Sequence, residues 1–374
     1  MNRRPSQSRS GFDSFSPQHT AHFKAAQPGD EFFEPRPRTP LGRRVLVFLL
    51  LLLLAALAAN LAINQFVQVA RVTVPIRKMD SALEGYTLLH ISDLKGASYG
   101  ANQSRIRFAL QKEDFDAVVL TGDMVSSRGN AQPLYTLIEM LHEFKPGVPI
   151  YMIPGDKDPL PASMSYAASG SPFAPWVLGA RRRGAQLLSA PVRIERDGHA
   201  LWLTTSALLS LDMDTMQEQF ERQYLDALSG ADENAIELTA YNLQWLTETR
   251  DARAQMTDED VYIALTHVPP ADEELEGAYA GSLRGRLHLV LCGHYQGGLV
   301  RLPFVGALFI PSQNLPFYGI LPGKNTYYGL TKKGGTYLYV SPGLGNNDGL
   351  YPLPFFRLFN PPTVSLISLT TSSL

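Results

Sequence analysis

The sequence predicts an α/β domain with a largely parallel sheet, carried behind one N-terminal membrane helix. Two observations predict the domain: short apolar runs alternate with helical stretches, and polar residues gather where each apolar run ends. A third, a single uninterrupted apolar run near the N-terminus, predicts the helix.

Taken in order, residues 1–44 hold eight basic and four acidic side chains among Ser, Pro, Gln and Gly, a net charge of +4. Without apolar periodicity, they read as a disordered basic tail. Val45 to Ala59 is continuously apolar, and Leu61, Ala62 and Ile63 extend the run past Asn60. The segment 45–66 thus reaches the roughly 20 residues that cross a bilayer as a helix. Arg43 and Arg44 stand just before it, which predicts a single-pass protein of the cell membrane with a cytoplasmic N-terminus. The domain at 71–374 would then be extracytoplasmic. A cleaved signal peptide is the competing reading. The long preface, and the lack of a clear small-x-small site after the run, favour a retained anchor. A transporter is excluded, because only this run is long enough to span.

Beyond the anchor, Tyr86–Ser92 reads as a strand, Gln103–Lys112 as a helix and Ala117–Thr121 as a strand. Pro133–Phe144 and Ile150–Ile153 repeat the helix and strand. Val192–Glu195 and Ala200–Thr204 flank Asp197–Gly198, a hairpin signal. Residues 211–258 are acidic and helical, and strands resume at Tyr262–Thr266 and Leu287–Cys292. Short strands with Gly/Pro turns follow to the C-terminus, and Pro159–Asp260 reads as a cap beside the site.

Over all 374 residues, 33 Lys and Arg stand against 35 Asp and Glu, a net charge of −2. That balance lacks the basic footprint of a nucleic-acid binder, so no such partner is expected. Cys292 is the single cysteine, which excludes intramolecular disulfides and cysteine zinc fingers. Any metal must be held by His, Asp, Glu or Asn.

Five strand ends carry the chemistry: Asp93-Leu-Lys95, Gly122-Asp123, Gly155-Asp156-Lys157-Asp158, Thr266-His267 and Gly293-His294-Tyr-Gln296-Gly-Gly298. One Asp at a strand end is most often a helix cap, and one buried His is most often core. Five such clusters on successive strand ends point to a shared ligand site. Other residues read blandly. Arg181–Arg183 is a solvated helix end, with contact to anionic headgroups as the alternative. His90 and His288 lie inside strands, and period-2 geometry turns His90 away from Asp93.

In this order the clusters resemble the calcineurin-like metallophosphoesterases, in their membrane-associated bacterial branch. The resemblance runs from about residue 71 to 367 and takes in Tyr318–Gly323, Leu338–Gly345 and Phe356–Pro362. It implies a sandwich of two mixed β-sheets flanked by helices. It also implies two metals bridged by Asp123, which activate water for attack on phosphorus. Asp93 belongs to the first metal's set. Asp123, Asp156, His267 and His294 belong to the second's, a donor set suited to Mn, Fe or Zn.

Four positions depart from the family's pattern, the mildest being Asp156, which replaces the usual Asn and keeps an oxygen ligand. Lys95 and Gln296 stand where the first metal's histidines would be, and Lys157 replaces the histidine near the leaving group. A charged ammonium has donors and no acceptor, so it cannot ligate a metal. Lys95 can instead stand in for the missing cation. One divalent ion is therefore expected rather than two, with Lys157 and Asp158 as the catalytic candidates. The expected activity is hydrolysis of a phosphoester, and the tether and resemblance imply a lipid-linked or envelope substrate. The alternative is a silent pseudo-phosphoesterase, its site held by lysine–carboxylate pairs and acting as a binding module.

Overall fold

In the computed structural model the apolar run forms helix α1 (Leu41–Ile63). It is the one helix among the described residues that is long and apolar enough to cross a membrane. At 1.5 Å per residue it measures roughly 34 Å, against a hydrocarbon core of about 30 Å. Its bounds differ from the expected 45–66. The Arg43 amide already bonds Pro40 O, and the bonds of Gln65 and Phe66 to Ala62 O and Ile63 O tighten the exit. The structure describes residues 40–126, 128–209, 212–271, 274–275, 287–298, 300–302, 305–310, 321, 327–345 and 357–372. Most of the expected N-terminal tail, and Tyr318–Gly323 apart from Leu321, lie outside them.

The chain divides into Met1–Leu54 and Ala55–Leu374. In the first unit the described residues form the exposed, apolar start of α1. The second contains the end of α1, where Asn60 is buried. Its Nδ2 donates to Arg357 O at 2.7 Å, and its Oδ1 accepts from the Phe359 amide at 2.9 Å. The residue that interrupts the apolar run is thus a polar docking point.

The elements that follow are β1 (Gln68–Arg77), β2 (Thr87–Ile91), α2 (Ser104–Leu110), β3 (Ala117–Thr121), α3 (Gln132–Phe144) and β4 (Ile150–Ile153). Next come α4 (Met164–Ala167), α5 (Pro175–Arg181), β5 (Ala185–Leu187), β6 (Val192–Arg196), β7 (His199–Thr205) and α6 (Ser206–Leu209). Then follow α7 (Met213–Ser229), α8 (Glu233–Gln255), β8 (Val261–Leu265) and β9 (Leu289–Cys292). The chain closes with β10 (Val300–Leu302), β11 (Gly306–Phe309), β12 (Gly329–Lys333), β13 (Thr336–Val340) and β14 (Thr363–Ser372).

The strands form two mixed sheets of six, ordered β1-β14-β2-β3-β4-β5 and β12-β13-β9-β8-β7-β6, the sandwich that the family resemblance implies. The centres are parallel, as the helical crossovers require. β14 enters antiparallel beside β2, and the β6–β7 hairpin closes the other sheet's edge. Its turn places Asp197 and Gly198 at φ 52° and 86°, as a two-residue primed turn needs.

Leu88, Val119 and Tyr151 of one sheet pack with Leu203, Ile263 and Leu289 of the other, so a core lies between them. The first sheet's other face packs on α2, α3 and α5 through Ile106, Leu137 and Val177. Pro159–Asp260 is not a separate cap. It supplies β5 to one sheet and β6 and β7 to the other, because its apolar residues complete both cores. Its helices α7 and α8 form an antiparallel pair, clasped by Arg250 Nη2 on Asp214 Oδ1 at 2.9 Å.

His90 sits inside this sandwich, as its strand position implies. Its Nε2 lies 2.7 Å from Thr121 Oγ1, its ring meets Tyr339 edge-on, and its Nδ1 is buried without a partner. Burial pushes its pKa down from 6.5 to about 3. The unfolded chain therefore takes up this proton before the folded one does. The stability is fully present above the unfolded value of 6.5 and is lost as pH falls towards 3. The slope approaches about 1.4 kcal/mol per pH unit. Thermal unfolding of the full chain in detergent should fall more steeply below pH 6.5 for the wild type than for His90→Gln. Parallel profiles would refute a neutral buried His90.

Candidate functional site

The loops after β2, β3, β4, β8 and β9 converge at the carboxyl ends of the two sheets, where such sheets bind ligands. Backbone pairing continues beyond the strands. Asp93 N donates to Gly122 O at 3.1 Å, Lys95 N to Asp123 O at 2.7 Å and Gly293 N to His267 O at 3.0 Å. Asp93, Lys95, Asp123, His294 and Gln296 have φ of 55°, 50°, 53°, 70° and 51°. Left-handed backbone costs a non-glycine residue about 1–2 kcal/mol, so strain is concentrated in these loops. Two glycines permit the close approach. A methyl group at Gly155 would overlap the Asp123 backbone and carboxylate, and one at Gly293 would overlap Ser92 Oγ.

Two groups of ligand atoms result, each gathered within 4.8 Å: Asp93, Asp123 and His267, and Asp156, His267 and His294. All five residues assigned to metal from the sequence are therefore brought together. In the first group the Lys95 ammonium lies 3.0 Å from Asp123 Oδ2 and 3.9 Å from Asp93 Oδ1, with its side chain buried. In the second, Asp156 Oδ1 lies 3.0 Å from His267 Nε2 and 3.2 Å from His294 Nδ1. His267 Nε2 is also 3.3 Å from Asp123 Oδ2.

The tautomer of His267 follows from its other nitrogen. Nδ1 lies 2.8 Å from Thr121 O, a carbonyl that can only accept, so Nδ1 carries the proton. The neutral ring then offers a lone pair at Nε2, the orientation a metal-binding histidine needs. Nε2 and Asp93 Oδ1 are both buried without a hydrogen-bond partner among the described residues. A lone pair enclosed by carboxylate oxygens is repelled unless a proton or a metal ion lies between them. The site therefore fits a divalent cation.

The electrostatics agree. Burial pushes the Asp123 carboxyl up, but the His267 imidazole and the Lys95 ammonium overcome it and hold its pKa at about 2. His267 holds Asp156 well below the usual carboxylate range, with help from Lys157. Burial opposes charge on His267, yet Asp123 and Asp156 raise its pKa to about 11. Burial lowers the pKa of His294, and the neighbouring His267 lowers it further. Without metal, then, His267 is the imidazolium that balances the carboxylates.

Lys157 reaches the same group. Its ammonium is 2.9 Å from Asp156 Oδ2, and its amide donates to Asp123 Oδ1 at 2.9 Å. Asp158, assigned to the catalytic set from the sequence, has a different part. Its two oxygens accept from the Val125 and Gly155 amides at 2.7 and 2.8 Å, so it ties the β3 and β4 loops together. Burial raises its pKa. Gln296 is buried, with an unpartnered Oε1, and its carbonyl accepts from Asn360 Nδ2 at 2.6 Å.

His288 accepts from the Tyr262 amide at 3.1 Å and stacks on that ring, which is a structural part. Arg181 and Arg182 are exposed at the end of α5, the solvated helix end expected, and Arg181 and Arg183 lie over the Phe173 and Tyr135 rings. Cys292 is fully buried.

Sequence reasoning missed the supports. Ser92 Oγ donates to Asp93 Oδ2, and the His294 amide donates to the same oxygen at 3.1 Å. Arg357 is fully buried and binds backbone carbonyls of the 296 and 342–345 segments. The only signal for it was an arginine within the largely apolar Phe356–Pro362 stretch.

No curated protein matches this chain. Among solved structures it is similar to the phosphopantetheinyl hydrolase PptH from Mycobacterium tuberculosis, at 11% identity and a TM-score of 0.34. That match covers 70% of this chain and 91% of the other. A candidate 5′-nucleotidase from Staphylococcus aureus matches at 9% identity and a TM-score of 0.31, over 78% of this chain and 55% of that one. The calcineurin-like phosphoesterase family matches residues 86–296, more than half of the chain and the whole run from β2 to Gln296. With its five motifs at converging strand ends, the chain belongs to the calcineurin-like phosphoesterase family.

Proposed function

We propose that this protein is a membrane-anchored phosphoesterase that uses one divalent metal, with Lys95 in place of the second. The observation that carries this reading is the Lys95 ammonium at 3.0 Å from Asp123, beside an intact Asp156–His267–His294 group. Asp123, Asp156, His267 and His294 would hold the ion, either Mn, Fe or Zn. When bound, such an ion supplies a water of lowered pKa and a Lewis acid for a phosphoryl oxygen. Lys95 offsets part of the charge of Asp93 and Asp123 and places a cation on that side of the site. Lys157, half-exposed, can turn from Asp156 to a phosphoryl oxygen as charge builds there. Lysine is a poor proton donor near neutral pH, so a leaving group of low pKa suits this site best. Lys157 is raised further by Asp156.

Anchoring through 45–66, with the N-terminus in the cytoplasm and the domain outside it, would bring a lipid-linked or envelope phosphoester within reach. A second reading is favoured by the Lys157–Asp156 pair, which ties up a metal ligand. On that reading the domain is a silent fold that binds a partner.

Purified full-length chain, exposed to Mn, Fe or Zn and measured by plasma mass spectrometry, should hold about one ion. Asp123→Ala and His294→Ala should lose it, and turnover of bis-aryl or mono-aryl phosphates should fall with it. No metal and no turnover would leave the second reading.

A further inference from the structure

We propose that a groove beside the exit of α1 seats the headgroup of an anionic phospholipid, so that this face of the domain rests on the bilayer. The inference depends on α1 crossing that bilayer.

The groove, about 700 Å³, is lined by Phe66, Arg71, Arg105, Phe108, Lys112 and Glu113, among others. Chain connectivity fixes where it lies. α1 ends at Ile63, and Phe66 follows within one turn, so the groove opens where the chain leaves the apolar layer. Its chemistry suits that depth. Phe66 and Phe108 are 67% and 65% exposed, a poor arrangement against water but the usual one at the boundary of headgroups and acyl chains.

The charge is complementary to an anionic surface. Three cations stand against one carboxylate, and Glu113 is taken by Arg71 at 3.1 Å. Among the described residues the Arg105 guanidinium bonds the neutral amide of Gln65, which does not cancel its charge. Arg105 and Lys112 would hold the phosphodiester while the two rings enter the upper acyl region. A free phosphate would leave both rings in water, which favours a lipid as the occupant.

The full chain can be tested in nanodiscs of phosphatidylcholine, with or without phosphatidylglycerol. Cys292 is the single cysteine and is fully buried, so Phe108→Cys can be labelled selectively with an environment-sensitive dye. Leu225→Cys, on the exposed side of α7, serves as the control. Emission at position 108 should shift to the blue, more strongly in anionic discs, while position 225 stays unchanged. Arg105→Gln and Lys112→Gln should each reduce the preference for anionic discs about fivefold. A chain that enters discs but shows the same emission at 108 and 225 would overturn the groove and leave the anchor intact. A shift that follows protein concentration rather than lipid would mark a contact between two copies and overturn it too. Failure to enter discs at all would remove the anchor and the inference with it.

Discussion

Arg357→Met is expected to lower the melting temperature of the full chain by on the order of 10 °C or more, or to prevent folding. The guanidinium donates to the carbonyls of Asn360 at 2.7 Å, Gly343 at 3.2 Å, Gly345 at 2.6 Å, Gln296 at 3.1 Å and Pro342 at 2.7 Å. No carboxylate is among these partners. Each buried carbonyl that loses its donor costs about 1–3 kcal/mol, and a whole domain is stable by only about 5–15 kcal/mol. Lysine does not restore the arrangement, because a point charge with three donors cannot reach carbonyls on separate segments. Arg357→Lys should fold and bind metal more weakly, since the 293–298 loop carrying His294 loses its brace. Thermal unfolding and metal titration of both variants test this. A melting temperature within about 2 °C of wild type for Arg357→Met would show that the network carries no stability.

The burden on one arginine explains why the site was only partly legible in the sequence. Ligands at strand ends are readable because each follows its own apolar run. β3 and β4 are buried on both faces, so Ala117–Thr121 and Ile150–Ile153 appear as unbroken apolar runs with clear ends. The Asp197–Gly198 turn is equally local. What is not readable depends on partners far apart in the chain. β14 enters the first sheet between β1 and β2, pairing Ser365 with His90 and Gln68 with Thr363. Nothing in Thr363–Ser372 announces either neighbour, so the mixed character of the sheet came from the family resemblance alone. Arg357 and the Thr121 carbonyl share this limit. Their effect on His294 and His267 passes through backbone groups, which every residue possesses. Asp158 failed in the opposite way, since a carboxylate beside a ligand motif looks like chemistry until its oxygens are found on two amides.

Lys95 bears most directly on how the site works. In the presence of chelator, Lys95→Ala should lose stability, by at most about 3–5 kcal/mol, because Asp93 and Asp123 would be left buried with only the His267 imidazolium as countercharge. Divalent metal should restore most of that loss, since the Asp93–Asp123–His267 atoms already lie within 4.8 Å of one another. The wild type should gain less from metal, because its ammonium already offsets part of that group's negative charge. Lys95→His with Gln296→His removes the charge and adds two nitrogen ligands at the positions where the family has histidine. Bound metal should rise from about one to about two ions per chain, with faster hydrolysis of bis-aryl phosphate. The measurements are metal per chain and melting temperature with and without chelator. Equal stability of Lys95→Ala and wild type in chelator would mean that the ammonium does not substitute for a cation. A double variant that stays at one ion would place the obstacle elsewhere in the first group, with Ser92 and the His294 amide on Asp93 Oδ2 the next residues to examine.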